Sequence, residues 1–232
     1  KVEDPILGLD PMEHIQVWRN SSLSFDPHSP PQQQNDAIAR ETARANLALG
    51  PHTLTLFTSR EALGKTAEIL RSCGKAQDQG ITIWAQEPGG LSRTQLANKF
   101  KNFKQPSVLL GTRSFWEGID LPGAVQHLVI PRLPFSNISD PIVEARMESC
   151  ELAEIPQSGF DQYLLPQMLQ QLRQGLGRGI RRETDYGTVH ILDSRASWSS
   201  YTDQIDQLLQ PETFSEDSNR SHLQFTGYSK AE

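Results

Sequence analysis

Short apolar runs alternate with helix-forming segments along most of this chain, and that alternation constrains its fold more than any other feature. Thr53–Phe57, Ile81–Trp84, Ser107–Leu110, Val125–Ile130 and Val189–Leu192 read as strands. Ser107–Leu110 is apolar almost throughout, as a strand buried on both faces would be. Between them lie stretches of helical character. Asn35 to Gly50 is Ala-rich, with Ile38, Thr42, Ala45 and Leu49 on one face, and Asn35 is placed to cap it. Arg60 to about Ser72 follows the first strand. Ser92 and Gln95 form a capping-box pattern ahead of Leu96, Phe100 and Phe103. Asp140-Pro141 opens a helix with Glu144 placed to close its cap. A further helix opens at Pro166 and is expected to stop at glycines 175, 177 and 179, and another spans Tyr201 to Leu209. The pattern predicts an α/β domain: a parallel sheet of about five or more strands with helices on both faces. In such sheets ligands sit beyond the carboxyl ends of the strands.

The expected organisation is an irregular lead-in over residues 1–34 packed on the domain, the α/β domain over 35–210, and a polar, flexible tail over 211–232. The prolines at 27, 30 and 31 argue for loop in the lead-in. The 232 residues carry a net charge of −6. By segment the charge is −3 over residues 1–52, +1 over 53–199 and −4 beyond, so the acidity belongs to the flanks. This argues against a general nucleic-acid coat protein but leaves room for a site with a few placed arginines. No apolar run approaches the roughly 20 residues that span a bilayer. Cys73 and Cys150 fit reduced thiols and are too few for a four-cysteine zinc or iron–sulfur site. The reduced thiols point to a cytoplasmic location, and no His, Asp or Glu cluster has metal-ligand spacing, so no metal site is expected.

Three segments carry candidate chemistry. Gly111 to Asp120 packs glycines, hydroxyls, an arginine, Trp116 and two carboxylates behind a strand end. Such a loop can approach a phosphate closely and offer a ring for base stacking. It can equally be a tight turn with Trp116 as core. Gln174 to Arg182 places Arg178 and Arg181 three residues apart, on one helical face. Two such arginines can clamp a transferring phosphoryl group, or they can be surface residues of a glycine-terminated helix. Ser59 to Thr66 approaches a phosphate-binding P-loop, yet Ser59 stands where that pattern needs glycine, and Gly64-Lys65-Thr66 falls inside a helix already under way.

Taken in order, these segments resemble the second motor domain of DinG/XPD-like superfamily 2 DNA helicases. Trp18 to Asp26 is similar to the family's Ser-Pro-Phe stretch, with Leu23 in place of the usual proline. Leu54 to Ser59 resembles its motif IV, Gly111 to Asp120 its motif V, and Leu128 to Phe135 the strand and Leu-Pro-Phe turn that follow. Gln174 to Arg181 resembles motif VI, with Gly179 where many relatives carry a larger aliphatic residue. Gly187 to Arg195 resembles the closing strand. The resemblance implies a RecA-like fold and an ATP-dependent, 5′→3′ DNA helicase, with DNA repair as the suggested pathway. It implies that Arg178 and Arg181 reach the γ-phosphate, that Gln174 couples closure, and that Glu117, Gly118 and Asp120 lie at the nucleotide cleft. Thr58, Ser59, Thr112 and Ser114 would face single-stranded DNA. The implied partners are an N-terminal motor domain and the strand, with no membrane. ATP and Mg2+ would be held mainly by that other domain, and no iron–sulfur cluster by this one. A Walker A loop and an Asp-Glu-x-His box are absent from the sequence, so the chain alone is expected to be half a motor without ATPase activity. The rival readings are a non-enzymatic RecA-like interaction module and a small P-loop phosphotransferase using Gly64-Lys65-Thr66.

Overall fold

The computed structural model describes residues 15–23, 29–102, 104–116, 121, 123–152, 158–179 and 187–209. The elements run β1 (Ile15–Leu23), α1 (Pro31–Leu49), β2 (Thr53–Leu56), α2 (Arg60–Ser72), α3 (Gly74–Asp78) and β3 (Thr82–Ala85). Then follow α4 (Arg93–Asn102), β4 (Ser107–Gly111), α5 (Arg113–Trp116), β5 (His127–Ile130) and α6 (Pro141–Leu152). A π-helical turn (Phe160–Leu164) leads into α7 (Leu165–Gly179), and β6 (Gly187–Asp193), α8 (Arg195–Trp198) and α9 (Thr202–Leu209) complete the order. The six strands form one sheet in the order β1-β6-β5-β2-β4-β3. Every pairing is parallel, with Leu54 opposite both Leu109 and Leu128, and Leu128 opposite Val189. The chain leaves β2 toward the β3 edge and leaves β5 toward β6. These diverging exits open a crevice at the carboxyl ends of the two central strands.

Alternation along the strands feeds two cores. Leu54, Leu56, Leu109, Leu128, Ile130, Val189 and Ile191 face one side, where Trp116, Met168, Leu172 and Ile205 from α5, α7 and α9 cover them. Phe57, Val108, Leu110, Val129 and Leu192 face the other, against α1 and α2. The α1 side also buries polar groups, and Thr55 and Asn46 among them are paired. Thr55 Oγ1 donates to Asn46 Oδ1 at 2.9 Å, and Asn46 Nδ2 donates to the Thr42 carbonyl at 2.8 Å. Such pairs remove the cost of burying a bare amide.

Three local expectations differ from the structure. The lead-in is not irregular throughout, because residues 15–23 form the edge strand β1 on β6. Gln16, Arg19, Asn20, Ser21 and Ser22 hide it from a composition reading. Its order comes from backbone pairing and from Arg19, which donates to the Ala196 carbonyl at 3.0 Å and pairs with Asp206. Second, α1 starts at Pro31 rather than Asn35. Proline fits the first turn, where its missing N–H has no intrahelical partner anyway. Asn35 lies inside the helix instead, and its Nδ2 donates to Glu61 Oε2 at 2.8 Å. Third, the helix expected from Pro166 begins at Leu165 and runs through Gly175 and Gly177 before ending at Gly179, the last of the three glycines expected to stop it. Other signals hold. Ser92 and Gln95 exchange the two capping-box bonds at 2.9 and 3.3 Å, and Gly50 ends α1 with φ 88°. The tail over residues 211–232 lies outside the described residues.

Candidate nucleic-acid and nucleotide interface

The carboxyl edge of the sheet gathers the described candidates. β2 ends into Thr58, which is exposed, and Ser59, which is half-buried. Ser59 caps α2, its Oγ accepting from the Ala62 N–H at 3.2 Å. This satisfies one of the orphan donors of the first turn and leaves the hydroxyl proton unspent.

β4 ends into Thr112, which is 7% exposed, and Ser114, which is half-buried. Between them sits Gln86, immediately after β3. Its Oε1 accepts from the Thr112 N–H at 3.0 Å and from Thr112 Oγ1 at 2.8 Å, while its Nε2 donates to Ser114 Oγ at 2.9 Å. Arg93, at the start of α4, donates to the Ser114 carbonyl at 3.1 Å. The structure thus brings Thr112 and Ser114 together through a residue that the sequence reading did not single out. Its only signal was position, as a polar side chain directly after a strand's carboxyl end.

Trp116 closes the same loop and is fully buried. Its Nε1 donates to the Phe57 carbonyl at 3.4 Å. The stacking role considered for this ring is therefore corrected: Trp116 is core. It packs where α5 meets α7, and Gly175 makes room for it. A Cβ on Gly175 would lie 2.5 Å from two atoms of the Trp116 ring and 3.4 Å from Leu56 Cδ1. Gly175 is in α7 because a ring occupies the space of a side chain, not to stop the helix. Gly111 makes a similar allowance, since a Cβ there would meet the Phe115 side chain at 2.6 and 2.8 Å.

Gln174 is exposed on α7, one residue before this contact. Arg178 lies in the last turn of that helix. Arg181, Glu117, Gly118 and Asp120 lie outside the described residues. Gly64-Lys65-Thr66 does not form a phosphate loop: the three residues lie in the middle of α2. Lys65 Nζ pairs with Asp36 at 2.6 Å and Glu61 at 2.7 Å, and Thr66 Oγ1 donates to the Ala62 carbonyl at 2.7 Å. The phosphotransferase reading has no site there.

A second polar cluster joins the ends of β5 and β6. Asp193 is fully buried and accepts from the Leu133 N–H at 2.9 Å and from Arg195 NH2 at 2.7 Å. The Arg195 guanidinium in turn lies over the Phe135 ring at 5.5 Å. A buried carboxylate held by a backbone N–H and an arginine fixes the turn after β5 against the end of β6. Among the described residues no group of three or more His, Cys, Asp or Glu could hold a metal ion, and no helix is long and apolar enough to cross a membrane.

A family model described as the helicase C-terminal domain matches residues 47–212. The ATP-dependent helicase DinG of Mycobacterium tuberculosis is 33% identical over 214 residues, covering 90% of this chain and 31% of the relative. The ATP-dependent DNA helicase YoaA of Escherichia coli is 37% identical over 186 residues, covering 80% of this chain and 27% of the relative. A Bacillus subtilis protein named 3′-5′ exonuclease DinG is 39% identical over 153 residues, covering 65% of this chain and 16% of its own. The chain thus spans less than a third of these relatives. Among solved structures, an XPD helicase superposes with a TM-score of 0.60 at 16% identity, covering 84% of this chain and 34% of that one. The S. tokodaii Xpd4 structure gives 0.55 at 18% identity, covering 82% and 36%. At such identities the likeness speaks for the fold, a RecA-like parallel sheet. With a family model over most of its length, DinG and YoaA relatives at 33–39% identity, and an XPD-like fold, this chain belongs to the helicase C-terminal domain family, in its DinG/XPD-like branch.

Proposed function

We propose that this chain is the second motor domain of an ATP-dependent DNA helicase. In this reading Arg178 and Arg181 act as arginine fingers on the γ-phosphate of an ATP seated on a facing N-terminal motor domain. Gln174 couples closure of the cleft, and Glu117, Gly118 and Asp120 line it. Thr58, Ser59, Thr112 and Ser114 face the backbone of single-stranded DNA, and cycles of closure and opening step the motor 5′→3′. ATP and its Mg2+ would be held mainly by that other domain.

The observation that carries the reading is the contact of Trp116 with Gly175. It packs the loop expected at the strand directly against the helix expected at the nucleotide. A shift of α7 on nucleotide closure is then a shift of α5, because packed interiors transmit displacement rather than absorb it. An arginine finger contributes about 10³–10⁵ in rate, and only where another domain cradles the phosphates.

The test uses the helicase that carries this domain and the 232-residue chain side by side. Arg178→Ala and Arg181→Ala each lower DNA-stimulated ATP hydrolysis by about 10³ while single-strand affinity stays within twofold. The chain alone hydrolyses no ATP, with or without DNA. ATP turnover by the chain alone, or full activity in the arginine variants, overturns the proposal. Unwinding of a 5′-tailed but not a 3′-tailed duplex checks the polarity.

A further inference from the structure

We propose that Ser114, and not Thr112, supplies the hydroxyl proton to a single-strand phosphate, and that Gln86 makes this division of labour as a positioning residue. The inference rests on the nucleic-acid reading above and refines it.

The argument is a proton count. A backbone N–H can only donate, so the Gln86 amide atom 3.0 Å from the Thr112 nitrogen is its oxygen. That contact fixes which way the amide points. The same oxygen takes the Thr112 hydroxyl proton at 2.8 Å. Both donors of Thr112 are therefore spent inside the domain. What remains on its hydroxyl is lone pairs, and a phosphodiester oxygen has no proton to give them. Thr112 is also buried, at 7% exposure.

Ser114 is in the opposite state. With the amide oxygen committed to Thr112, the Gln86 Nε2 faces Ser114 Oγ at 2.9 Å and donates to it. A serine hydroxyl has one proton and two lone pairs. Gln86 fills one lone pair and leaves the proton, and a hydroxyl that accepts one hydrogen bond donates a stronger one. Ser114 is half-buried at the sheet's carboxyl edge, within reach of a ligand. Arg93 holds its carbonyl at 3.1 Å, which fixes the backbone and brings a positive charge to the same turn. One glutamine thus switches off one hydroxyl and aims the other.

The experiment measures binding of a fluorescein-labelled oligo-dT strand to the full chain by anisotropy at low, fixed salt. Urea unfolding confirms that each variant is folded. Ser114→Ala weakens binding about tenfold, as loss of one hydrogen bond to a charged group does. Thr112→Val weakens binding less than Ser114→Ala does, because its N–H still orients Gln86. Gln86→Glu keeps both acceptor contacts to Thr112 but cannot donate, so the Ser114 proton turns inward. It weakens binding at least as much as Ser114→Ala, and the two changes together bind no more weakly than Gln86→Glu alone. If Thr112→Val unfolds, amide exchange of the wild-type chain decides: the Thr112 amide is protected with and without oligo-dT, and exchange at the unprotected rate overturns the inference. A loss with Thr112→Val equal to that with Ser114→Ala, or additive losses in the double variant, overturns this assignment alone. No binding of oligo-dT by the wild-type chain overturns the nucleic-acid reading and the assignment with it.

Discussion

The two edges of the sheet carry similar polar residues and use them in opposite ways. At the amino edge, Thr188 Oγ1 lies 2.8 Å from both His127 Nδ1 and His190 Nε2, a chain closed on itself within the domain. The His52 carbonyl accepts from the Gln126 and His127 N–H groups at 2.9 and 3.3 Å, which ties the turn before β2 to β5. At the carboxyl edge, Gln86 joins Thr112 to Ser114 but leaves the Ser114 proton unspent, and Ser59 caps a helix with its own proton also unspent. The first arrangement links polar groups of neighbouring strands to one another. The second holds its loops and keeps donors in reserve. A parallel sheet favours this split, since the loops that vary and bind sit beyond the carboxyl ends.

The largest effect is expected under the carboxyl edge. Trp116→Ala removes a fully buried ring and leaves a cavity between α5 and α7, at a cost of about 3–5 kcal/mol. Gly175→Ala approaches the same contact from the other side and costs about 1–3 kcal/mol, because the new methyl meets the ring. Urea midpoints read both. If the two faces move as one unit, Gly175→Ala in a Trp116→Ala background recovers part of its cost, since the methyl then enters the cavity. Fully additive costs would show that α5 and α7 are not coupled there.

The amino edge is tested by acid. Burial, and then the neighbouring His127, push the His190 imidazole down to about 4. In the unfolded chain it takes a proton near its ordinary value of 6.5. Between those limits the unfolded state binds more protons, so stability is complete above pH 6.5 and falls as the pH drops toward 4. At about 1.4 kcal/mol per pH unit, roughly 2 kcal/mol is lost by pH 5. Glu61, held below the usual carboxylate range first by its hydrogen bond from Lys65, contributes only at lower pH. A His190→Gln variant flattens the urea midpoint between pH 7.5 and 5. A wild-type midpoint that does not move in that interval would remove the closed histidine chain from the account.

What was readable in the sequence follows the same division. The central strands were legible because burial on both faces demands apolar runs. Ser92 and Gln95 were legible because a capping box is local chemistry. β1 was not, because an edge strand tolerates the polar residues that Gln16 to Ser22 supply. Gly175 and Gly177 read as a stop because glycine lowers helix propensity by about 1 kcal/mol, and packing on Trp116 overrides that. Gln86 was invisible because its partners lie 26 and 28 residues away. Motif order located Thr112 and Ser114, but only coordinates reveal which of the two has a proton left. The candidates at Glu117, Gly118, Asp120 and Arg181 rest on motif order alone.

The smallest expected effect separates folding from binding most cleanly. Ser59 has two jobs at the carboxyl edge: its oxygen caps α2, and its proton stays available. Ser59→Ala abolishes both, costing about 1 kcal/mol of stability together with single-strand affinity. Ser59→Asp divides them. A carboxylate accepts from the Ala62 N–H at least as well as a hydroxyl does, and its charge complements the positive end of the helix. The urea midpoint of that variant therefore matches or exceeds wild type. In the proposed reading that carboxylate has no proton to donate to the strand and repels its phosphates, so oligo-dT affinity falls below that of Ser59→Ala. Equal affinities for the two variants would mean that Ser59 acts on the strand only through the order of α2, and the reserve of donors at this edge would then reduce to Ser114.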